Sequence, residues 1–280
     1  MPYEADVSRR NPALWVLLVD HGPNPWYADS TGPTKIANIA NELIRSLVLP
    51  CVRQEGVLDR YYVALLEYGK SSNPRLNRFG KDLIPISEVA DNPIRVETKF
   101  RKCPDGSGGL IEEGFKVPVW IEPRSEPERC TCSALSYAAK LCEEWIRDHP
   151  GTYPPTVINI TGGEPTDGDP RELADRLKAQ SGSDGNVLLY NIYMPQLTIR
   201  ESVVFSNPRA HVADKLADML FDMSSVLPVR IRDELTRQGY TDLTSDSRGF
   251  AINSTFISHL LVMFLCGDEY DDRPLSMRFR

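Results

Sequence analysis

A short apolar run that leads directly into a Gly/Asp/Thr loop places the strongest constraint on how this chain can fold. The stretch 157–170 reads V-I-N-I-T-G-G-E-P-T-D-G-D-P. This pattern is typical of a buried parallel strand, and the carboxyl ends of such strands form the ligand-binding edge of α/β sheets. Residues 14–24 repeat it, with L-W-V-L-L-V followed by D-H-G-P-N. Two loops of this kind predict one site at one edge of the sheet.

Helix-like and strand-like segments alternate along most of the chain. Apolar residues spaced by three and four predict helices at 33–49, 131–149, 210–225, 230–238 and 256–266. A further helix is expected to begin at Pro170, capped by Asp169. Apolar runs predict strands at 14–19, 60–68, 157–161 and 186–194. The alternation predicts an α/β fold with a doubly wound, mostly parallel sheet and helices on both faces.

Residues 70–123 interrupt this alternation and predict a β-hairpin insertion. Two extended flanks, 94–102 and 110–117, enclose a proline- and glycine-rich turn at 104–109. Its glycines follow no buried strand and open no helix, so they predict a turn and not a nucleotide-binding loop. We expect a lead at 1–13, one domain at 14–266 and a tail at 267–280.

Charge and composition narrow the classes of partner. The net charge is -7 and the pI is near 5.3, which disfavours binding to nucleic acids and to anionic membranes. No apolar run reaches the roughly 20 residues of a membrane span, and the first residues are too polar for a signal peptide. We therefore expect a cytoplasmic protein, whose six cysteines are reduced structural thiols.

Sequence motifs give no support for catalysis. The chain contains no G-x-x-x-x-G-K-[ST] loop and no G-x-S-x-G elbow, and Tyr137 and Lys140 miss the spacing of short-chain dehydrogenases. A nucleophilic Cys132 or Ser133 would need an activating base. Four scattered histidines do not identify one, so we expect no enzyme.

Several separate segments resemble, in order, the bacterial cytoplasmic von Willebrand factor A (vWA) domain proteins. They are L-L-V-D at 17–20, R-Y-Y-V-A-L at 60–65, C-S-A-L at 132–135, the run 155–170, D-G-N-V-L-L-Y-N at 184–191 and S-R-G-F at 247–250. The resemblance spans residues 14 to about 266. It implies a metal-ion-dependent adhesion site, in which hydroxyls and carboxylates hold a divalent cation and a partner's acidic group completes the metal shell.

This chain departs from that ligand pattern at nearly every position. Asp20 keeps the first carboxylate, but Gly22 and Asn24 stand where two serines are expected. Gly162 stands where the second aspartate is expected, and Arg129 takes the threonine position. Because Mg²⁺ or Mn²⁺ requires about six oxygen ligands, we expect a degenerate site without a metal or other cofactor.

Two interpretations of the altered site remain open. In one, the Arg129 guanidinium pairs with Asp20 and replaces the missing cation; in the other, Arg129 is an exposed loop residue. Glu164, Asp167 and Asp169 could hold a cation, or they could form turns and cap the following helix. His21, beside Asp20, could be a proton carrier or a ligand, or it could be a surface or packing residue.

The leading functional hypothesis is a non-catalytic adaptor of the signalling or stress-response type that binds another protein. Its partner-binding surface would combine the loop face around Asp20, Gly22, Asn24, Arg129, Gly162, Glu164 and Asp167 with the hairpin. The resemblance implies an operon-encoded kinase, phosphatase or stress-response protein as partner. The alternative is a small-ligand or divalent-metal-dependent sensor that uses the same crevice.

Overall fold

A doubly wound α/β sheet organises the chain. The computed structural model describes residues 2–23, 31–70, 79–104, 109–195, 202–210 and 212–254. The strands are β1 (Ala13–Asp20), β2 (Val52–Arg53), β3 (Gly56–Val57), β4 (Tyr61–Tyr68), β5 (Ile84–Pro85), β6 (Arg95–Pro104), β7 (Leu110–Val119), β8 (Thr156–Thr161), β9 (Ser181–Gly182), β10 (Gly185–Asn186), β11 (Leu188–Tyr193), β12 (Val203–Val204) and β13 (Phe250–Ile252). The helices are α1 (Thr31–Val48), α2 (Ile86–Asp91), α3 (Thr131–Asp148), α4 (Arg171–Ala179), α5 (Lys215–Met223) and α6 (Val229–Arg237).

Seven of the described strands form the main sheet, in the order β12-β13-β11-β8-β1-β4-β5. The five inner strands are parallel to one another, and β5 and β12 at the edges run antiparallel. The chain passes from β1 to β4 on one side and later returns to place β8 on the other side of β1. This reversal creates a switch point between β1 and β8, the position at which open α/β sheets bind ligands.

Strand β1 explains why helices cover both faces of the sheet. All eight of its residues are buried, and successive side chains point to opposite faces. Trp15, Leu17 and Val19 belong to the hydrophobic core that contains α1, α2 and α6. Leu14, Val16 and Leu18 belong to the core that contains α3, α4 and α5. An uninterrupted apolar strand is therefore buried on both sides, as parallel sheets require.

The predicted fold class is confirmed, while several element bounds were wrong. The helix expected from Pro170 begins at Arg171, whose backbone N–H donates to the Asp169 carboxylate at 3.1 Å. The helix expected at 210–225 is Lys215–Met223, because the Asp214 side chain accepts from the Leu216 and Ala217 N–H groups and fixes its start. The predicted helix at 256–266 and the tail at 267–280 lie outside the described residues.

The β-hairpin insertion is shorter than the predicted span of 70–123. It consists of β6 and β7, which pair antiparallel over ten residues each. Part of the predicted span belongs to the main body, because β5 pairs with β4 and α2 buries Ile86 and Val89. In the described parts of the chain, no helix combines the length and the apolar character that crossing a membrane requires.

Candidate functional site

The carboxyl ends of β1 and β8 bring the two predicted loops together. Val19 lies opposite Ile160 in the parallel register, so Asp20 and Thr161 end neighbouring strands. Arg129 enters from the loop just before α3 and meets Asp20 at this edge. The switch point of the sheet is therefore the place where the predicted site residues gather. Asn24 lies outside the described residues.

Asp20 is the centre of the site, and donors surround its carboxylate. Oδ1 accepts from the Gly22 N–H at 2.6 Å. Oδ2 accepts from Arg129 Nε at 2.5 Å, from Thr161 Oγ1 at 2.9 Å and from the Gly162 N–H at 2.8 Å. The Asp20 side chain is 0% exposed. A buried carboxylate is costly unless it is paired and hydrogen-bonded, and here both oxygens have donors.

The Arg129 guanidinium is equally well bound, as the pairing interpretation predicts. Besides the bond from Nε to Asp20, Nη1 donates to the Glu164 carbonyl at 3.1 Å and Nη2 to the Pro23 carbonyl at 2.9 Å. Its side chain is only 6% exposed. The Arg129 backbone is fixed in turn by Thr166, which bonds to both its N–H and its carbonyl. The exposed-loop alternative for Arg129 is wrong.

Two glycines make room for this arginine. A β-carbon at Gly22 would lie 2.6 Å from Arg129 Cβ, and one at Gly163 would lie 2.6 Å from Arg129 Nη1. Both distances are shorter than side-chain carbons tolerate. At Gly162 the nearest obstacle to a β-carbon would be Ile36 Cδ1 at 3.1 Å. A side chain at Gly22 is excluded by the β-carbon and Nε of Arg129, and a side chain at Gly163 is excluded by its guanidinium.

The residues around Asp20 do not fit a divalent cation. Mg²⁺ and Mn²⁺ bind oxygen lone pairs, whereas the groups facing this carboxylate are N–H and O–H donors. A guanidinium already supplies the compensating positive charge. Among the described residues, no group of three or more His, Cys, Asp or Glu side chains is placed to hold a metal.

The three acidic residues of the second loop have local partners. Asp167 accepts from the Cys132 N–H at 3.0 Å and the Ser133 N–H at 2.9 Å, so it satisfies the first turn of α3. Asp169 pairs with Arg171, which lowers the pKa of this exposed carboxyl to about 2. Glu164 contributes its carbonyl to Arg129, and the residue is exposed. These contacts match the local interpretation of the acidic loop.

The His21 side chain belongs to a second polar cluster, together with Glu67 and Arg124. Its Nε2 lies 2.8 Å from Glu67 Oε2, and Arg124 Nη2 lies 2.6 Å from the same oxygen. His21 and Glu67 are 3% and 5% exposed. Sequence reasoning missed Glu67, although a carboxylate within the apolar run Y-V-A-L-L-E-Y is a signal, because buried charges need partners.

A chain of neutral hydrogen bonds beneath the site was also missed. Tyr68 Oη donates to Asn159 Oδ1 at 2.9 Å, and Asn159 Nδ2 donates to Asn191 Oδ1 at 2.9 Å. Burial, and then the charge of Asp20, raise the pKa of the Tyr68 hydroxyl well above its usual range. Tyr68 is therefore a neutral donor that ties β4 to β8 across β1.

The thiols near the site are unsuited to nucleophilic attack. Burial, followed by the negative charge of Asp167, raises the pKa of Cys132 to about 11. The pKa of Cys130 is raised in the same way, with burial again the larger cause. Reactive thiols have lowered pKa values, so both groups are protonated at neutral pH.

Comparisons with known proteins give only remote structural likeness. No family model matches the chain, and no curated protein matches it. It is similar to proximal thread matrix protein 1 from the mussel byssus, with 14% identity and a TM-score of 0.43 over 94% of this chain and 48% of that one. It is also similar to the manganese-loaded TRAP protein of Plasmodium vivax, with 18% identity and a TM-score of 0.32 over 67% of this chain and 58% of that one. The chain thus spans about half the length of the first protein and less than two thirds of the second.

Proposed function

We propose that this chain is a non-catalytic protein interaction module of the vWA type, acting as an adaptor whose relict metal site is closed by an arginine. The observation that carries the proposal is the burial of the Arg129 guanidinium against Asp20, with hydrogen bonds to both flanking loops. In a metal-dependent adhesion site the cation joins the loops and recruits the partner. In this chain Arg129 joins the loops, so recognition must use other groups.

The surroundings of the pair indicate where a partner would bind. Arg129 is 5% exposed, so a partner's acidic side chain has no access to it, and recognition would use the hairpin and the rim of the site instead. The rim carries exposed carboxylates at Glu128, Glu164 and Asp167. Such a rim favours a partner with basic side chains, because like charges across an interface are costly.

The proposed partner is a bacterial cytoplasmic signalling or stress-response protein, such as a kinase or a phosphatase, encoded in the same operon. This part of the proposal rests on the sequence resemblance alone. The thiol pKa values near the site and the capping role of Asp167 support a role without catalysis.

Affinity capture tests the metal-free character of recognition directly. We expect the tagged chain to recover the same partner, identified by mass spectrometry, in the presence of EDTA and in the presence of Mg²⁺. The variant E164K should weaken recovery by reversing a rim charge. E143K is the matched control, because Glu143 is also exposed but lies about three turns away from the end of α3 that faces the site. Loss of the partner in EDTA and its recovery with Mg²⁺ would overturn the proposal.

A further inference from the structure

The β6–β7 hairpin is an extended two-stranded ribbon with little support from the rest of the molecule. Its ten-residue strands pair from Arg95 opposite Val119 to Pro104 opposite Leu110. Within the described ranges, no third strand joins this ribbon. Among the strand residues whose burial the structure describes, only Pro118 and Val119, at the base of the ribbon, are buried. Isolated two-stranded ribbons are marginal in water, and a third strand or a packed face is usually needed.

The two faces of the ribbon both carry exposed apolar and charged side chains. On the face of the even-numbered residues, Val96, Phe100 and Leu110 are 52%, 67% and 66% exposed, and this face also carries Lys102, Glu112 and Lys116. On the other face Ile111 is 54% exposed, and Arg101 pairs with Glu113 and lies over the Phe115 ring. Large exposed apolar side chains indicate an interaction surface, and the charge pattern along each strand edge decides which edge pairs best.

The outer edge of β7 is the better of the two edges for adding a strand. An unpaired edge presents N–H and C=O groups that another strand can bind. Pro118 removes one N–H at the base, which leaves residues 110–117 available. A strand that pairs with this edge must carry side chains that complement those of β7.

We propose that a second copy of this chain pairs antiparallel with the outer edge of β7, about a two-fold axis at Gly114. The pairing gives a four-stranded sheet across two molecules. The axis sets Glu112 of each copy opposite Lys116 of the other, on the same face. It also sets Ile111 opposite Val117. Directly opposed unlike charges and apolar pairs stabilise antiparallel sheets, and an isologous contact closes after two subunits.

Other self-pairings are less complementary. A two-fold axis perpendicular to the sheet must set one residue opposite the same residue of the other copy, because directly opposed side chains share a face. Each possible axis is therefore named by that residue. On β7, axes at Glu113 or Lys116 oppose like charges. On β6, an axis at Lys99 does the same, and an axis at Thr98 sets Arg95 against Arg101. The axis at Gly114 combines two unlike pairs with no like pair.

A charge-exchange experiment tests the register. The wild type should be a reversible dimer in analytical ultracentrifugation. E112K would oppose two lysines at each symmetric contact and K116E would oppose two glutamates, so each variant alone should raise the dimer Kd at least about tenfold. Mixing the two variants restores an unlike pair at both contacts, so a heterodimer should form with near wild-type Kd.

The mixing step separates pairing from folding. Within one chain, E112K sets a second positive charge opposite Lys102, and K116E removes the hydrogen bond from Lys116 to Thr98. Both effects persist in the mixture, so damage to the ribbon cannot produce the rescue. A wild type that stays monomeric at about 100 μM, or a mixture that shows no rescue, would overturn the proposal. The dimer contact uses the outer edge of β7, whereas the E164K capture experiment reads the rim of the Asp20 site, so dimer formation and partner capture can succeed or fail separately.

Discussion

Replacing Arg129 by methionine is the perturbation that bears most directly on the closed site. Methionine preserves much of the arginine stem but removes the charge and the three hydrogen bonds to Asp20, Glu164 and Pro23. The Asp20 carboxylate, 1% exposed, would then be a buried charge without its counter-ion. Its bonds from Gly22, Thr161 and Gly162 would remain.

The expected cost follows from that burial. Removing one partner of a buried ion pair costs about 3–5 kcal/mol, since the other charge stays uncompensated. Against a typical stability of about 5–15 kcal/mol this is a large fraction, and it corresponds to a fall in Tm on the order of 10 °C. Removing both charges in D20N/R129M should cost much less than the sum of the two single variants, because no isolated charge is left.

Denaturant unfolding of wild type, D20N, R129M and the double variant measures these terms as a double-mutant cycle. R171M is the matched control, because Arg171 also pairs with an aspartate but is 65% exposed, and its Tm should barely change. A loss of less than about 1 kcal/mol of unfolding free energy in R129M would contradict the expected cost. Single-variant losses at Asp20 and Arg129 that sum to the double-variant loss within about 0.5 kcal/mol would also contradict it.

Three further predictions concern the same loops. G22S should destabilise the wild type, because its β-carbon would meet the Arg129 β-carbon and Nε, but much less in an R129G background, which lacks both atoms; equal Tm losses in both backgrounds would contradict the steric link. D167N should lower the free energy of unfolding by about 1 kcal/mol in denaturant, because the amide replaces one of the two oxygens that accept from the Cys132 and Ser133 N–H groups. An unchanged unfolding midpoint would show that Asp167 does not cap α3. Iodoacetamide labelling of Cys132, followed by peptide mass spectrometry, should still accelerate between pH 9 and 10, because its pKa is raised to about 11; a plateau below pH 9 would contradict the raised pKa. Because the pKa of Cys132 in the folded chain lies above the ordinary thiol value of 9.0, the contribution of the protonated thiol to stability is present below pH 9 and is lost as the pH rises towards 11.

The main sheet could be predicted from the sequence because its signals are local. The helix over 131–149 has a full apolar stripe, and the structure places α3 at Thr131–Asp148. The β1 run is apolar on both faces, and the β8 run is buried along its whole length, which is typical of central parallel strands. The short edge elements could not be found in this way: β12 and β5 have two residues each, too few to show a period.

The site was predictable only in part, because its contacts join residues far apart in sequence. The pair of Asp20 and Arg129 could be predicted because Asp20 keeps its ligand position while the other metal ligands are missing, and because an arginine occupies one of those ligand positions. The cluster of His21, Glu67 and Arg124 was missed because these residues reach one place through three different elements. No spacing rule links them, and only the register of β1 and β4 brings the first two together.

Soaking crystals in MnCl₂ shows whether Arg129 or a cation neutralises Asp20, because manganese can be located by its anomalous scattering. We expect guanidinium density with Arg129 Nε about 2.5 Å from Asp20 Oδ2 and no manganese peak at that carboxylate. A manganese peak about 2.2 Å from Asp20 with an octahedral oxygen shell, and Arg129 displaced, would contradict this expectation.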